Sequence, residues 1–297
     1  MRRPTNRRSV LKSILAGTLT LGISNRFFAL SAENNLNNET VSPLKGNINH
    51  SVARWCFKDI ELETLCIEVK KMGIRGIDLV GPKDWPLLQK YGITSTMCNG
   101  AEINLLDGFN DTQFHEILII NYTEMIPLVA KAGYKNLICF SGKRRGKTDE
   151  EGWNNCVIGL QKLIPLAEKH NVTLVMELLN SKIDHKDNQC DKTSWGVELA
   201  KRIKSENFKL LYDIYHMQID EGDVIRTIKE NHQYISHYHT AGVPGRHEID
   251  DSQELNYPAI MKAIAETGFK GYVGQEFLAK NPDKLKSLKE AITICDI

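Results

Sequence analysis

The sequence predicts an α/β protein, a single (β/α)8 TIM barrel. Three observations carry that expectation. Strand-like and helix-like segments alternate eight times between Gly46 and Ile297. Helix-like segments repeatedly stop at glycine, as in KKMG, LVAKAG and AETG, the usual helix-ending chemistry. Four polar residues, Glu177, Asp213, His239 and Glu276, lie at the ends of four consecutive apolar runs. A closed parallel barrel brings such strand ends together on one face, where TIM-barrel active sites lie. An open doubly wound sheet would spread the four along a line, and no GxGxxG follows the first strand.

The elements follow in order. INHSVARWCF reads as the first strand, and ELETLCIEVKKMG follows with apolar residues at spacings of three and four. GIRGIDLVG precedes the short helix WPLLQKYG. ITSTMCNG leads through a loop into QFHEILIINYTEMIPLVAKAG. NLICFSGKRRG leads into EEGWNNCVIGLQKLIPLAEKH, read as one helix. TLVMELLNS then precedes SWGVELAKRIKS, and FKLLYDIYHM precedes DVIRTIKENH. ISHYHTAG precedes YPAIMKAIAETG, and GYVGQEF precedes PDKLKSLKEAITI. No second domain or low-complexity segment interrupts this series.

Composition narrows the function classes. Apolar residues make up 41% of the chain and charged residues 25%, as in ordinary soluble domains. A formal net charge of +1 gives no bulk attraction to nucleic acid or to an anionic membrane. The seven Cys form no CxxC pair; Cys98 and Cys139 fall in apolar runs and read as small packed hydrophobes, without a disulfide framework. The N-terminus is a separate object. Arg7 and Arg8 in NRRSVLK precede an apolar stretch from Val10 to Ile23, with Ala29, Ser31 and Ala32 beyond. Residues 1–32 therefore read as a twin-arginine-type signal peptide, which implies export to a bacterial periplasm. Residues 33–45 read as a flexible linker and 46–297 as the catalytic barrel. No membrane span is expected once the signal is removed.

At the strand ends, three carboxylates and one imidazole supply oxygen and nitrogen ligands suited to one divalent cation, Mn, Mg, Co or Zn. Any one of the four alone would read as a helix cap or a packed side chain. Together they are a metal set, because burying three uncompensated carboxylates side by side is very costly.

Here the chain resembles the xylose-isomerase-like TIM-barrel superfamily of sugar isomerases, ketose 3-epimerases and hydroxypyruvate isomerases. The most specific segment is VPGRHEIDDSQELNY, Val243 to Tyr257, which is similar to the PGRHEP…GEINY stretch of hydroxypyruvate isomerases. MELLNS, YDIYHMQIDEGD and GQEF match the same group. The resemblance implies that Glu177 and Glu276 transfer protons and that Glu177, Asp213, His239 and Glu276 hold the metal. It places His216 and Arg246 against substrate. Three positions depart from the pattern. His239 stands where hydroxypyruvate isomerases commonly carry Gln and ketose epimerases carry His. Ile249 replaces the second Pro of PGRHEP. Ile183 stands where the epimerases place a further Glu.

The activity implied is metal-dependent isomerisation of small α-hydroxycarbonyl compounds by proton transfer through an enediolate. The first candidate is hydroxypyruvate to tartronate semialdehyde. The alternative is a periplasmic isomerase or 3-epimerase of sugars or 3-keto sugars. An alternative of another class is a non-catalytic metal- or sugar-binding barrel. The partner implied is a small hydroxy-carbonyl or sugar molecule and not nucleic acid, with room for a homo-oligomer. Trp55 and Phe57 read as an apolar wall of the pocket, and SGKRRGK, Ser141 to Lys147, as a basic loop at the mouth. Glu102 and His50 stand too isolated to assign.

Overall fold

Each of the eight strand-like runs contains a strand, and the strands close in chain order. They are β1 (Asn49–Ala53), β2 (Gly76–Val80), β3 (Thr94–Cys98), β4 (Asn136–Cys139), β5 (Thr173–Glu177), β6 (Phe208–Asp213), β7 (Ile235–Thr240) and β8 (Tyr272–Gln275). All pairings are parallel, and β1 pairs with both β2 and β8, which shuts the barrel. This computed structural model describes residues 43–297. The expected signal peptide and residues 33–42 of the expected linker lie outside the described residues. Within the remainder of that linker, Leu44 packs on the core and the Lys45 backbone N–H donates to the Asp296 carboxylate at 3.0 Å.

Helices fill the connections: α1 (Leu62–Lys71), α2 (Trp85–Tyr91), α3 (His115–Lys131), α4 (Asp149–Leu160), α5 (Ile164–His170), α6 (Thr193–Ile203), α7 (Ile214–Asp220), α8 (Val224–Asn231), α9 (Tyr257–Glu266) and α10 (Lys284–Cys295). Two differ from the sequence reading. EEGWNNCVIGLQKLIPLAEKH is two helices, because Pro165 occupies the first turn of α5, where a missing N–H costs nothing. IYHM, read as a strand tail, is the start of α7, because Asp213 caps a helix there.

The barrel interior is divided. On one side Met97, Ile138, Val175 and Leu211 pack with Phe140 and Leu179 into an apolar plug. On the other, Asp78, Thr96, His237 and His239 are buried polar side chains. The seven cysteines are free thiols, all buried. Among the described residues no helix is long and apolar enough to cross a membrane.

Candidate functional site

The strand ends deliver their side chains to one point. Glu177 and Asp213 are the last residues of β5 and β6, His239 is one residue from the end of β7, and Glu276 follows β8 directly. Register holds Asp213 opposite His239, and His239 opposite Gly274. One ligand atom from each of the four lies within 4.8 Å of the others, and all four residues are buried. The structure thus brings together the four residues that the sequence named as metal ligands.

Asp213 uses its two oxygens differently. Oδ1 accepts the backbone N–H of Tyr215 at 2.8 Å, capping α7, while Oδ2 lies 3.3 Å from Arg246 Nη2. Both Glu276 oxygens are taken: Oε1 accepts from Trp55 Nε1 and Oε2 from Arg246 Nη2, each at 2.6 Å. Glu177 is less encumbered, with His239 Nδ1 at 3.4 Å from its Oε1. Burial works against ionising Glu276, yet His239 and Arg246 overcome it and hold the carboxyl well below the usual range. Burial instead dominates at Asp213 and raises its carboxyl, despite the opposing pull of Arg246.

Arg246 sits in a left-handed turn position at φ 60°. Its guanidinium lies between the rings of Trp55 and Tyr215, 5.3 Å from each centroid. It therefore faces two of the candidate ligands. His216 is fully buried beside Asp213. Its Nδ1 meets Asn180 Nδ2 at 2.5 Å, and its Nε2 lies 3.5 Å from Asp213 Oδ2 without forming a hydrogen bond. Burial, with Arg246 and His185 beside it, pushes the His216 imidazole far below its usual value. The ring that reaches the cavity is His185, packed edge-on against His216 at 5.1 Å.

The cavity above the four residues has a volume of about 420 Å³. Glu177, Glu276 and Arg246 line one part, with Trp55 beside them, and Leu79, Ile138, Phe140 and Leu179 line an apolar part. Glu102 and Asn99 add polar groups, and burial raises the Glu102 carboxyl. Of the two aromatics expected as a wall, Trp55 lines the cavity, whereas Phe57 is buried against Phe277. In the basic loop Arg144 pairs with Asp149 at 2.7 Å, Arg145 with Asp107, and Lys147 with Asp111 at 2.8 Å.

Sequence reasoning missed Asp78 and His237. Asp78 is fully buried in β2, where the pairing with β3 shifts register on both sides of it. Leu79 next to it takes φ 59°. For a non-glycine residue that costs on the order of 1–3 kcal/mol, and such strain clusters at functional sites. The bulge lets two consecutive residues face inward, Asp78 to His237 and His239 and Leu79 to the cavity. Burial alone would raise the Asp78 carboxyl; His237 and His239 overcome it and hold it well below the usual range.

The donor set fits a divalent cation. Glu177, Asp213 and Glu276 are three buried carboxylates in one cluster, with Asp78 buried behind His239, and the Arg246 guanidinium faces Asp213 and Glu276. Buried acidic groups so outnumbering their cation need further positive charge or protons. His239 Nδ1 also lies 2.9 Å from Glu276 Oε2 without a well-formed hydrogen bond.

A closed parallel barrel with a buried carboxylate–imidazole cluster at its C-terminal mouth defines the class of protein. The chain belongs to the xylose isomerase-like TIM-barrel family, whose profile matches residues 68–295. It is similar to the 2-oxo-tetronate isomerase of Cupriavidus necator, 35% identical over 111 residues that make up 37% of this chain and 42% of that protein. It is similar also to the hydroxypyruvate isomerase of Escherichia coli, 30% identical over 146 residues, 49% of this chain and 56% of that protein. The matches thus span roughly half the length of these relatives. Among solved structures, an AP endonuclease, family 2, from Brucella melitensis superposes with a TM-score of 0.73 at 21% identity, covering 81% of this chain and 97% of that one. At that identity the likeness is one of fold.

Proposed function

We propose that the protein isomerises small α-hydroxycarbonyl compounds by proton transfer through an enediolate, with hydroxypyruvate to tartronate semialdehyde as first candidate. One observation carries this reading. Of the four clustered residues, Glu177 and Glu276 line the cavity, and they are the pair to which the family pattern gives proton transfer. A divalent cation held by Glu177, Asp213, His239 and Glu276 would polarise the carbonyl and offset charge that builds as carbon loses its proton. Glu177, whose oxygens are not engaged by Trp55 or Arg246, takes the proton from carbon. Glu276, oriented by Trp55 and Arg246, faces the same substrate. As a carboxylate it takes the hydroxyl proton of the reacting carbon and returns it to the neighbouring carbon, while Glu177 gives its proton to the former carbonyl oxygen. Arg246 steadies a substrate oxygen with the remaining edge of its fork.

A second reading, a 3-epimerase or isomerase of sugars or 3-keto sugars, is favoured by the cavity itself. A three-carbon acid fills little of about 420 Å³. Among the described lining residues the cation is Arg246, already engaged by Asp213 and Glu276. That leaves no uncommitted cation for a substrate carboxylate among the described lining residues, and it leaves an apolar wall for the carbon face of a sugar.

Incubating metal-loaded protein in heavy water with hydroxypyruvate, ketoses and 3-keto sugars separates the readings. Deuterium at the hydroxypyruvate carbon supports the first, and deuterium only at a sugar carbon supports the second. Absence of both exchange and product with every compound sinks both and favours a binding barrel.

We propose also that residues 1–32 direct export by the twin-arginine route, on the strength of Arg7, Arg8 and the apolar run after them. Replacing both arginines by lysine should leave unprocessed precursor in the cytoplasm. Normal processing of that variant would remove the reading.

A further inference from the structure

We propose that Asp78 is the positioning residue of the site: it holds His239 with Nε2 protonated, so that Nδ1 presents its lone pair to the cation, and it uses His237 as a second anchor. The inference rests on the cation reading above but not on the choice of substrate.

Asp78 is saturated with donors. Oδ2 lies 2.9 Å from His237 Nε2 and 3.2 Å from His239 Nε2, and Oδ1 accepts the Thr96 hydroxyl. An ionised carboxylate only accepts hydrogen bonds, so the proton on each facing ring sits on Nε2. In a neutral His239 ring the other nitrogen then carries the lone pair, and in the cation-free site it can carry a proton instead. Its Nδ1 points at Glu276 Oε2 and Glu177 Oε1, at 2.9 and 3.4 Å, with no hydrogen bond to either. A lone pair there would be repelled by the carboxylate oxygens, so a proton or a cation must lie between them. Against burial, Glu276, Asp78 and Glu177 raise the imidazole well above its usual value in the cation-free site, and a bound cation would take the place of that Nδ1 proton. A metal-ligating imidazole anchored through its other N–H to a carboxylate is the usual remedy, and it orients the ring and raises its basicity.

His237 completes the arrangement without being a ligand of the upper cluster. It lies two residues before His239 on the same face of β7, and the two rings meet edge to face, centroids 5.1 Å apart. That contact fixes the plane of the His239 ring, while the shared Asp78 oxygen fixes its rotation.

The backbone makes room for this. Gly274 stands opposite His239 in the register of β7 and β8. A Cβ at 274 would overlap Asp78 Oδ2 and come within 2.9 Å of His239 Cδ2. The bulge at Asp78 and Leu79 aims the carboxylate into the same space. A competing use of Asp78, His237 and His239 is a second cation site, since their ligand atoms lie within 4.8 Å of one another. The 2.9 and 3.2 Å separations are ordinary hydrogen-bond lengths, which favours the anchoring role.

The test uses histidine labelled with ¹⁵N and zinc as the probe. Long-range ¹H–¹⁵N correlation reads which ring nitrogen carries hydrogen, and competition with a chelator reads zinc affinity. In the wild type, His237 should carry its hydrogen on Nε2, and zinc-bound His239 should coordinate through Nδ1 with hydrogen on Nε2. Asp78→Asn should keep one zinc and the far-UV spectrum while affinity falls about 10–100-fold. His237→Gln should lose less and serves if Asp78→Asn does not fold. Coordination of His239 through Nε2, unchanged zinc affinity in Asp78→Asn, or a second zinc in the wild type lost in that variant would each overturn the proposal. A wild type that binds no zinc overturns it together with the cation reading. An inactive protein that keeps these tautomers and affinities overturns only the reading of the reaction.

Discussion

Asp213 caps the helix that carries His216. Its Oδ1 accepts the backbone N–H of His216 at 3.2 Å and that of Tyr215 at 2.8 Å, while Oδ2 stays in the candidate metal cluster. One carboxylate thus ends β6, starts α7 and supplies a ligand atom. The two roles separate by substitution. Asn caps about as well as Asp, whereas Ala loses about 1 kcal/mol at such a site. Asp213→Asn should keep the melting temperature of the metal-free protein and lose bound metal; Asp213→Ala should lose both. Elemental analysis after gel filtration checks this, and equal metal content in Asp213→Asn and wild type would remove Asp213 from the ligand set.

Gly274→Ala tests how tightly the centre of the barrel is built. Replacing glycine in a strand ordinarily gains about 0.4–1 kcal/mol through the unfolded chain. Here the new methyl would overlap the Asp78 carboxylate, and overpacking costs about 1–3 kcal/mol. The clash is the larger effect, so the denaturant midpoint should fall. A midpoint equal to or above wild type would show that the Asp78 carboxylate yields freely.

How much of this was legible follows from the local signals. Glu177, Asp213, His239 and Glu276 each close an apolar run, so polarity stands out against its background. Asp78 lies inside GIDLVG, where the bulge breaks the alternation that would have marked it as inward-facing. His237 did carry a signal, its spacing of two from His239 on one strand face. That signal acquires meaning only once Asp78 arrives from a strand some 160 residues earlier. The split between α4 and α5 was readable from Pro165, and the early start of α7 from Asp213 as a cap. The burial of His216 and the approach of His185 to the cavity depend on how the loop after β5 folds back, which no local pattern encodes.

His50 predicts a pH dependence away from the site. It is buried in β1 with Asp296 Oδ1 3.8 Å from its Nε2, and both ring nitrogens lack hydrogen bonds. Burial lowers its value from 6.5 to about 4, against the smaller pull of Asp296. The unfolded chain binds this proton more readily than the folded one. The contribution to stability is therefore fully present above pH 6.5 and is lost as pH falls toward 4, by about 3 kcal/mol at most. Urea unfolding across that window should decline less steeply for His50→Gln than for wild type. Parallel curves would show that His50 does not titrate this way.

The Glu pair tests the reaction itself. Glu177→Gln and Glu276→Gln keep shape but remove a base. General acid–base groups contribute about 10²–10⁴-fold, and members of one catalytic unit are not additive. Each single variant at saturating metal should lose most turnover, and the double variant should be little worse than the weaker single. The two should differ in stability. Glu276 accepts from Trp55 on one oxygen and Arg246 on the other, and glutamine has a single oxygen to offer. Glu276→Gln therefore forfeits a hydrogen bond to a charged group, about 1.5–3 kcal/mol, and should melt lower than Glu177→Gln. Product formed in heavy water gives the decisive reading, because a hydride shift between carbons needs no base and brings in no solvent deuterium. Deuterium-free product, with both glutamine variants still turning over, would eliminate the enediolate and leave these carboxylates as metal ligands alone.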